Sequence, residues 1–500
     1  VARRPHVLLL VLDAARRDAV APYAPAAPTP AMAGLARRGV AVRDAYATAP
    51  WTLPSHVAMF TGALASEFGL DQAPGGDPRG VAGAVAPLAD RLLASRLAAA
   101  GYATHGYSAN LWISPHTGLD AGFASFRYVP SARLERAFGA RSDTGGDSGA
   151  RRRRAALAWA REGLAARGDD GAARIGAELA AAIHAADPAT PQFWFVNLVE
   201  AHSPYLPPRP FNDLGPHQRI RAALDCERAL NFAAICVAAA GGPIPSAPAL
   251  ARLAHLHRCA VAYMDVWLAG VLSALAATGM LDDTLVVVTS DHGEAFGEAG
   301  LLAHGFNLIP PLVHVPLIAA GPGAEQFADR PGARSQRELP GLIGAAAGLE
   351  PGAFGPPGDG IALSRAAAIC PADDPRMVAF AARWSLSPAQ VARLTADRWS
   401  ATDGSRTLAL SDGALVPGAT GPGDAPELLA ALEQAVHGGG PGALEQAVHG
   451  GGPGALEPPA TQQRAQAPTE SSALPATADA DADADAVAEL ERQMKLLGYM

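Results

Sequence analysis

Three apolar runs in this chain each end on residues able to bind a metal or move a proton. Val7 to Leu12 runs into Asp13, Phe193 to Val199 into Glu200 and His202, and Thr284 to Thr289 into Ser290, Asp291 and His292. A carboxylate beside an imidazole offers a hard oxygen and a nitrogen, a pairing that suits zinc or manganese better than calcium. A lone Asp-His pair after a strand is more often structural, so the company matters. That company includes Thr52, in the stretch Trp51-Thr52-Leu53-Pro54-Ser55-His56, where Pro54 marks the first turn of a helix. A helix N-terminus presents free N–H groups and a positive dipole end, which suit a tetrahedral anion. A hydroxyl held there against a divalent cation is a nucleophile toward phosphorus or sulfur.

The elements that must position these residues follow from the pattern. The three runs read as strands buried on both faces of a parallel sheet. Between them the pattern predicts helices over Pro30–Arg38, Leu88–Ala100, Ala155–Ala186 and Ala260–Gly279. Strands alternating with helices predict an α/β fold, in which the carboxyl strand ends gather Asp13, Glu200, His202, Asp291 and His292. A last core strand is expected at His314–Ile318. After it comes a helix over Ser387–Ala396, then a hairpin of Trp399–Ala401 and Thr407–Leu410 around an Asp403-Gly404 turn.

Four segments are expected: a catalytic domain over 1–330, a small C-terminal α+β domain over 331–425, a repetitive linker over 426–486 and a docking helix over 487–500. The linker holds ALEQAVHGGGPG twice in succession from Ala431, a repeat too short and glycine-rich to bury a core. The closing helix regains an amphipathic pattern through Leu490, Met494 and Leu497.

With 49% hydrophobic and 17% charged residues in 500, the chain can bury a large core. Its net charge of -9 gives no global field for nucleic acid or anionic membrane, and the run Arg151 to Arg154 reads as a solvated helix start. Cys226, Cys236, Cys259 and Cys370 show no C-x-x-C spacing and read as buried thiols. The early run Val7–Leu12 is too short for a signal peptide, and no stretch reads as the roughly 18 apolar residues of a membrane helix. No membrane segment is therefore expected, and the cytoplasm is the default location, a removed targeting segment ahead of Val1 being the alternative. Lys495 is the only lysine, so no lysine amine serves the motifs near the N-terminus.

Read in order, these motifs carry a resemblance. VLLLVLDAARRDAV from Val7, TPAMAGLARRGVAVRDAYATAPWTLPSHVAMFTG from Thr29, FVNLVEAHSPYLPP from Phe195, AYMDVWLAGVLSALAATGMLDDTLVVVTSDHGEAFGE from Ala262 and HVPLIAAGPG from His314 resemble the sulfatase family of the alkaline phosphatase superfamily. The closing LERQMKLLGYM is similar to the tail of many such proteins. The resemblance implies a mixed sheet between helices with a smaller C-terminal sheet domain.

It also implies a site. Asp13, Asp291 and His292 match the metal ligands, with Thr52 as nucleophile and fourth ligand of one zinc or manganese ion, a second ion being present in some branches. Arg16 and Asp18 match the D-x-x-R-x-D form of the first motif and imply a brace. His202 and His304 match histidines that touch the transferred group, and either can protonate the leaving oxygen. Asn110 and Glu200 are expected to bind substrate or to order the contacts behind the ligands, Trp51 and His56 to bind substrate or shape the pocket, and Glu294 to support the site.

The departures narrow the chemistry. Thr52 stands where the pattern C-x-P-S-R has a cysteine, and threonine cannot be oxidised to formylglycine. His56 replaces the arginine, Ala14 a second aspartate, and Ala303 the lysine before His304. The reading that follows is a metal-dependent hydrolase of small phosphodiesters or phosphonate monoesters through a covalent Thr52 intermediate. The alternatives are transfer to an alcohol or amine acceptor, a sulfatase-like protein independent of formylglycine, and a binding protein with a decayed site.

Overall fold

The computed structural model describes residues 3–71, 83–131, 148–166, 168–350, 354, 358–418 and 422–437. The strands of the main sheet are β1 (His6–Leu12), β2 (Val40–Ala41), β3 (Ala103–Ser108), β4 (Ser125–Tyr128), β5 (Gln192–Leu198), β6 (Thr284–Thr289) and β7 (Leu317–Ala320). They form a seven-stranded sheet in the order β2-β7-β6-β1-β5-β3-β4. β1 is central and pairs in parallel with β5 and β6, while β7 runs antiparallel to β6 and β2.

Every residue of β1 is buried, because both faces of the sheet are covered. Val7, Leu9 and Val11 point into a core shared with Phe193, Phe195 and the helix α2 (Thr52–Thr61). Leu8, Leu10 and Leu12 point into the opposite core, with α1 (Pro30–Arg38), α5 (Ala172–Ala185) and α7 (Ala247–Ala277). Each such aliphatic side chain contributes about 1.5–3 kcal/mol relative to exposure, so strand alternation fixes the register and the strand ends with it. Asp265 on α7 accepts from the backbone N–H groups of Ala31 and Met32 at 3.0 and 2.8 Å, which ties α1 to α7.

Several expected elements are redrawn. The helix foreseen over Ala155–Ala186 is two, α4 (Ser148–Ala165) and α5, with Ala166 and Gly171 in the left-handed region between them. The Gly168-Asp-Asp-Gly171 breaker outweighs the alanine-rich pattern around it. α7 begins at Ala247, a full 31 residues long. Its most apolar window has a mean hydropathy of 1.7, enough by length and composition to cross a membrane, so the expectation that no stretch reaches that standard is corrected. Half of that window is buried within the fold. The last core strand lies at Leu317–Ala320, past Pro316, whose missing N–H ill suits a ladder.

The C-terminal unit is a four-stranded antiparallel sheet of β8 (Ala362–Ala366), β9 (Arg398–Thr402), β10 (Thr407–Ser411) and β11 (Ala414–Leu415), including the foreseen hairpin. Helix α8 (Pro426–His437) packs Leu428 and Leu432 against Trp399, Leu408 and Leu410. It occupies the start of the segment expected to be linker, because the first half of the ALEQAVH repeat is apolar at helical spacing. The expected docking helix over 487–500 lies outside the described residues. β8 also reaches the main domain: Ser364 Oγ donates to the Ala47 carbonyl at 2.6 Å and the Arg365 N–H to Thr48 at 2.9 Å. The segment leading to Thr52 is thus held by the small sheet.

Candidate active site

Thr52 is the first residue of α2, a helix whose ten residues are all buried. Trp51 precedes it with no side-chain cap, so the first-turn N–H groups stay directed at the sheet edge. Pro54 costs nothing there, since an N–H in the first turn has no helical partner. The Thr52 Oγ1 lies 3.5 Å from His292 Nε2 and accepts from Asn110 Nδ2 at 3.5 Å.

Asp13, at the end of β1, faces Asp291 and His292, at the end of β6; one ligand atom from each of the three lies within 4.8 Å of the others. Asp13 Oδ2 accepts from Asn110 at 2.8 Å and from Asn197 at 3.5 Å, and Asp291 Oδ1 accepts from the N–H groups of Ala14 and His292 at 3.1 and 3.0 Å. The second oxygens, Asp13 Oδ1 and Asp291 Oδ2, have no hydrogen-bond partner among the described residues. Burial, then the neighbouring Asp291 carboxylate, raises Asp13 to about 6, and burial raises Asp291 to about 7.

His292 Nδ1 donates to the Gly293 carbonyl at 2.9 Å, which leaves the Nε2 lone pair facing both carboxylates and Thr52. Burial, then His304, lowers its pKa to about 3, so the ring is neutral. Two buried carboxylate oxygens without hydrogen-bond partners and a neutral imidazole lone pair directed at one point fit a divalent cation: the charge and the donors are present and the protein itself does not satisfy them. Gly293 is required by packing, since a Cβ there would sit 2.0 Å from the Pro311 carbonyl oxygen.

Two further histidines stand beside His292. His304 Nδ1 contacts Glu294 Oε1 at 2.9 Å, and its ring lies 4.2 Å from that of His292 and 4.9 Å from that of His202. His202 Nδ1 donates to the Ser203 carbonyl at 2.9 Å, leaving Nε2 turned inward. Arg16 forms a two-bond fork to Asp18, pairs with Glu298 at 2.5 Å and donates to the Glu294 carbonyl at 3.0 Å.

Glu200, His56 and Trp51 make backbone and ring contacts around the cluster. Glu200 accepts from the N–H groups of Asp170 and Ala172 at 3.1 and 2.9 Å, a cap on α5. His56 contacts the Thr52 carbonyl through Nδ1 at 2.9 Å and lies edge-on to Phe195, so it packs beneath the first turn of α2; burial lowers it to about 3. Trp51 is buried edge-on against Trp112. Asn110 aligns Asp13 with Thr52. Asn197, Gln336 and His257 were missed: Asn197 reaches Asp13, Gln336 Nε2 donates to Ser290 and His257 holds the Ala14 carbonyl at 2.9 Å. A polar residue inside an apolar strand was the available signal for Asn197.

Comparison with known proteins decides the family, because the Sulfatase family model matches residues 5–348. The chain belongs to the sulfatase family. Among curated sulfatases, choline-sulfatase of Rhizobium meliloti (strain 1021) is 41% identical over 63 residues, 13% of this chain and 12% of that protein. Iduronate 2-sulfatase of Homo sapiens is 28% identical over 181 residues, 33% of this chain and 32% of that one. The matches span no more than a third of either relative. Among solved structures, the phosphonate monoester hydrolase of Agrobacterium radiobacter is 17% identical with a TM-score of 0.56, covering 85% of this chain and 91% of that one. It shares the fold.

The sulfatase-family fold carries, at the carboxyl ends of its strands, a buried cluster able to hold a divalent cation. The expected cytoplasmic location is corrected. Solved structures similar to this sulfatase-family chain include the C-terminal periplasmic domain of EcEptC from Escherichia coli, 15% identical with a TM-score of 0.45 over 71% of this chain and 85% of that one. The Val7–Leu12 run belongs to the buried central strand β1 and carries no compartment.

Proposed function

We propose that the protein is a formylglycine-independent, metal-dependent hydrolase of singly charged esters, with Thr52 as the nucleophile. One observation carries this reading: the Thr52 hydroxyl stands within 3.5 Å of His292 Nε2, beside two carboxylate oxygens with no hydrogen bond of their own. Asp13, Asp291 and His292 would hold the cation, zinc or manganese by donor type. When bound, it supplies positive charge that lowers the hydroxyl pKa and polarises the ester.

The chain's own residues do the rest. Asn110 holds Asp13 and Thr52 in one geometry. Thr52 Oγ1 attacks phosphorus or sulfur and the alcohol departs. The Thr52 proton passes to an imidazole Nε2, of His202 or His304, and from there to the leaving oxygen. Water then gives a proton to the same nitrogen and cleaves the threonine ester at phosphorus or sulfur, restoring the hydroxyl. Glu294 keeps the His304 ring oriented throughout.

Charge sets the substrate class. His292 and His304 are neutral, and residues 1–494 contain no lysine, so a doubly charged phosphate monoester meets little compensation. Phosphodiesters, phosphonate monoesters and sulfate esters carry one charge each. A threonine adduct cannot collapse to an aldehyde, which favours the phosphorus esters within that class. The test is turnover of matched aryl esters under several metals. Phosphodiester or phosphonate above phosphate monoester is the expected order, with sulfate measured beside them; a phosphate monoester as the best substrate would overturn it.

A further inference from the structure

Asp213, His255 and Cys259 form another cluster of metal-ligating side chains, sharing no residue with the catalytic set. His255 and Cys259 stand four residues apart on α7 and so share one face, while Asp213 reaches them from the loop between β5 and Pro216. Asp213 Oδ1 lies 2.6 Å from His255 Nε2, and Cys259 Sγ lies 3.5 Å from the same nitrogen.

Both contacts converge on Nε2. In a thiol–imidazole–carboxylate relay the acid and the nucleophile occupy opposite ring nitrogens, and the thiol pKa is depressed. Here the partners share one nitrogen, and burial, then Asp213, pushes the Cys259 thiol up to about 11. A relay is therefore excluded. A tetrahedral zinc with bonds of about 2.0–2.3 Å sets a nitrogen–sulfur edge of about 3.5 Å and a nitrogen–oxygen edge of about 3.3 Å. The first equals the observed separation. The second needs Asp213 to swing outward by less than about 1 Å, and its side chain is 65% exposed.

We propose that Asp213, His255 and Cys259 form a second transition-metal site, of zinc type, with three protein ligands and an outward fourth position for water or a small anion. The thiolate and imidazole select a borderline-soft cation over magnesium or calcium. The ion would staple α7 to the loop that carries His202 at its other end. Cys259 then serves as a ligand, whereas the other three cysteines are buried thiols.

Cobalt titration of the metal-free full chain tests this directly, because the catalytic centre contains no sulfur. A thiolate-to-cobalt absorption band in the near ultraviolet is expected, lost in Cys259→Ser and in His255→Ala together with one bound ion per chain. In the unmutated protein, zinc should also slow alkylation of Cys259, read by peptide mass mapping. A titration with no thiolate band, a band that survives Cys259→Ser, or alkylation equally fast with and without zinc would overturn the proposal.

Discussion

The Thr52 hydroxyl and His292 Nε2 stand 3.5 Å apart although 240 residues separate them in sequence. The parallel pairing of β1 and β6 brings the strand ends carrying Asp13 and Asp291 together, and α2 lays its first residue over them.

Asn110 links two members of the site. Asn110→Ala removes the 2.8 Å bond to Asp13 and the contact to Thr52. A loss of about 10- to 100-fold in kcat or metal affinity is expected for removal of such a supporting contact. Metal titration and steady-state kinetics read both; unchanged values would place Asn110 outside the site.

Protons compete with the cation. Asp13 and Asp291 have folded-state pKa values raised to about 6 and 7 from 3.8, so the metal-free fold binds protons more tightly than the unfolded chain. That contribution to stability is complete below 3.8 and is lost as pH rises through 6 and 7. The buried histidines His56, His257 and His292 act oppositely, giving stability above 6.5 that is lost as pH falls toward 3 or 4. Between about pH 6.5 and pH 8 the carboxylates change the balance most. Scanning calorimetry should therefore show the Tm gain on adding zinc or manganese largest near pH 8 and smallest near pH 5. A gain independent of pH would contradict the ligand assignment.

Glu200 separates a cap from a substrate contact. Glu200→Ala should cost about 1–3 kcal/mol of stability, because buried N–H groups of Asp170 and Ala172 lose their acceptor. KM at a temperature well below Tm should hold. A raised KM with unchanged stability would restore the substrate role.

The small C-terminal sheet holds the segment that leads to Thr52. Ser364→Ala leaves the Ala47 carbonyl short of a 2.6 Å donor and should destabilise by about 1 kcal/mol in urea unfolding. A fall in kcat larger than the fall in substrate affinity is expected, since Thr52 is reached through that segment.

Much of the fold was legible because strands buried on both faces write themselves as apolar runs. β1, β5 and β6 fall within a residue of their expected spans, and their terminal Asp13, Asp291 and His292 converge as read. What stayed hidden was direction. Glu200 follows β5 as His202 does, yet one side chain turns to a helix end and the other toward His304; neither residue type nor spacing dictates which. Asn110 follows β3, whose alternating residues His105 and Tyr107 disguise a core strand. Asp213 and Cys259 lie 46 residues apart with no shared motif, so only folding reveals their meeting.

Mass mapping of the Thr52 peptide, after acid quench during turnover of an aryl phosphodiester, phosphonate or sulfate, tests the nucleophile most directly. A phosphoryl, phosphonyl or sulfuryl group on Thr52, absent in Thr52→Ala along with turnover, is the expected result. An unmodified Thr52 peptide together with full turnover by Thr52→Ala would contradict it.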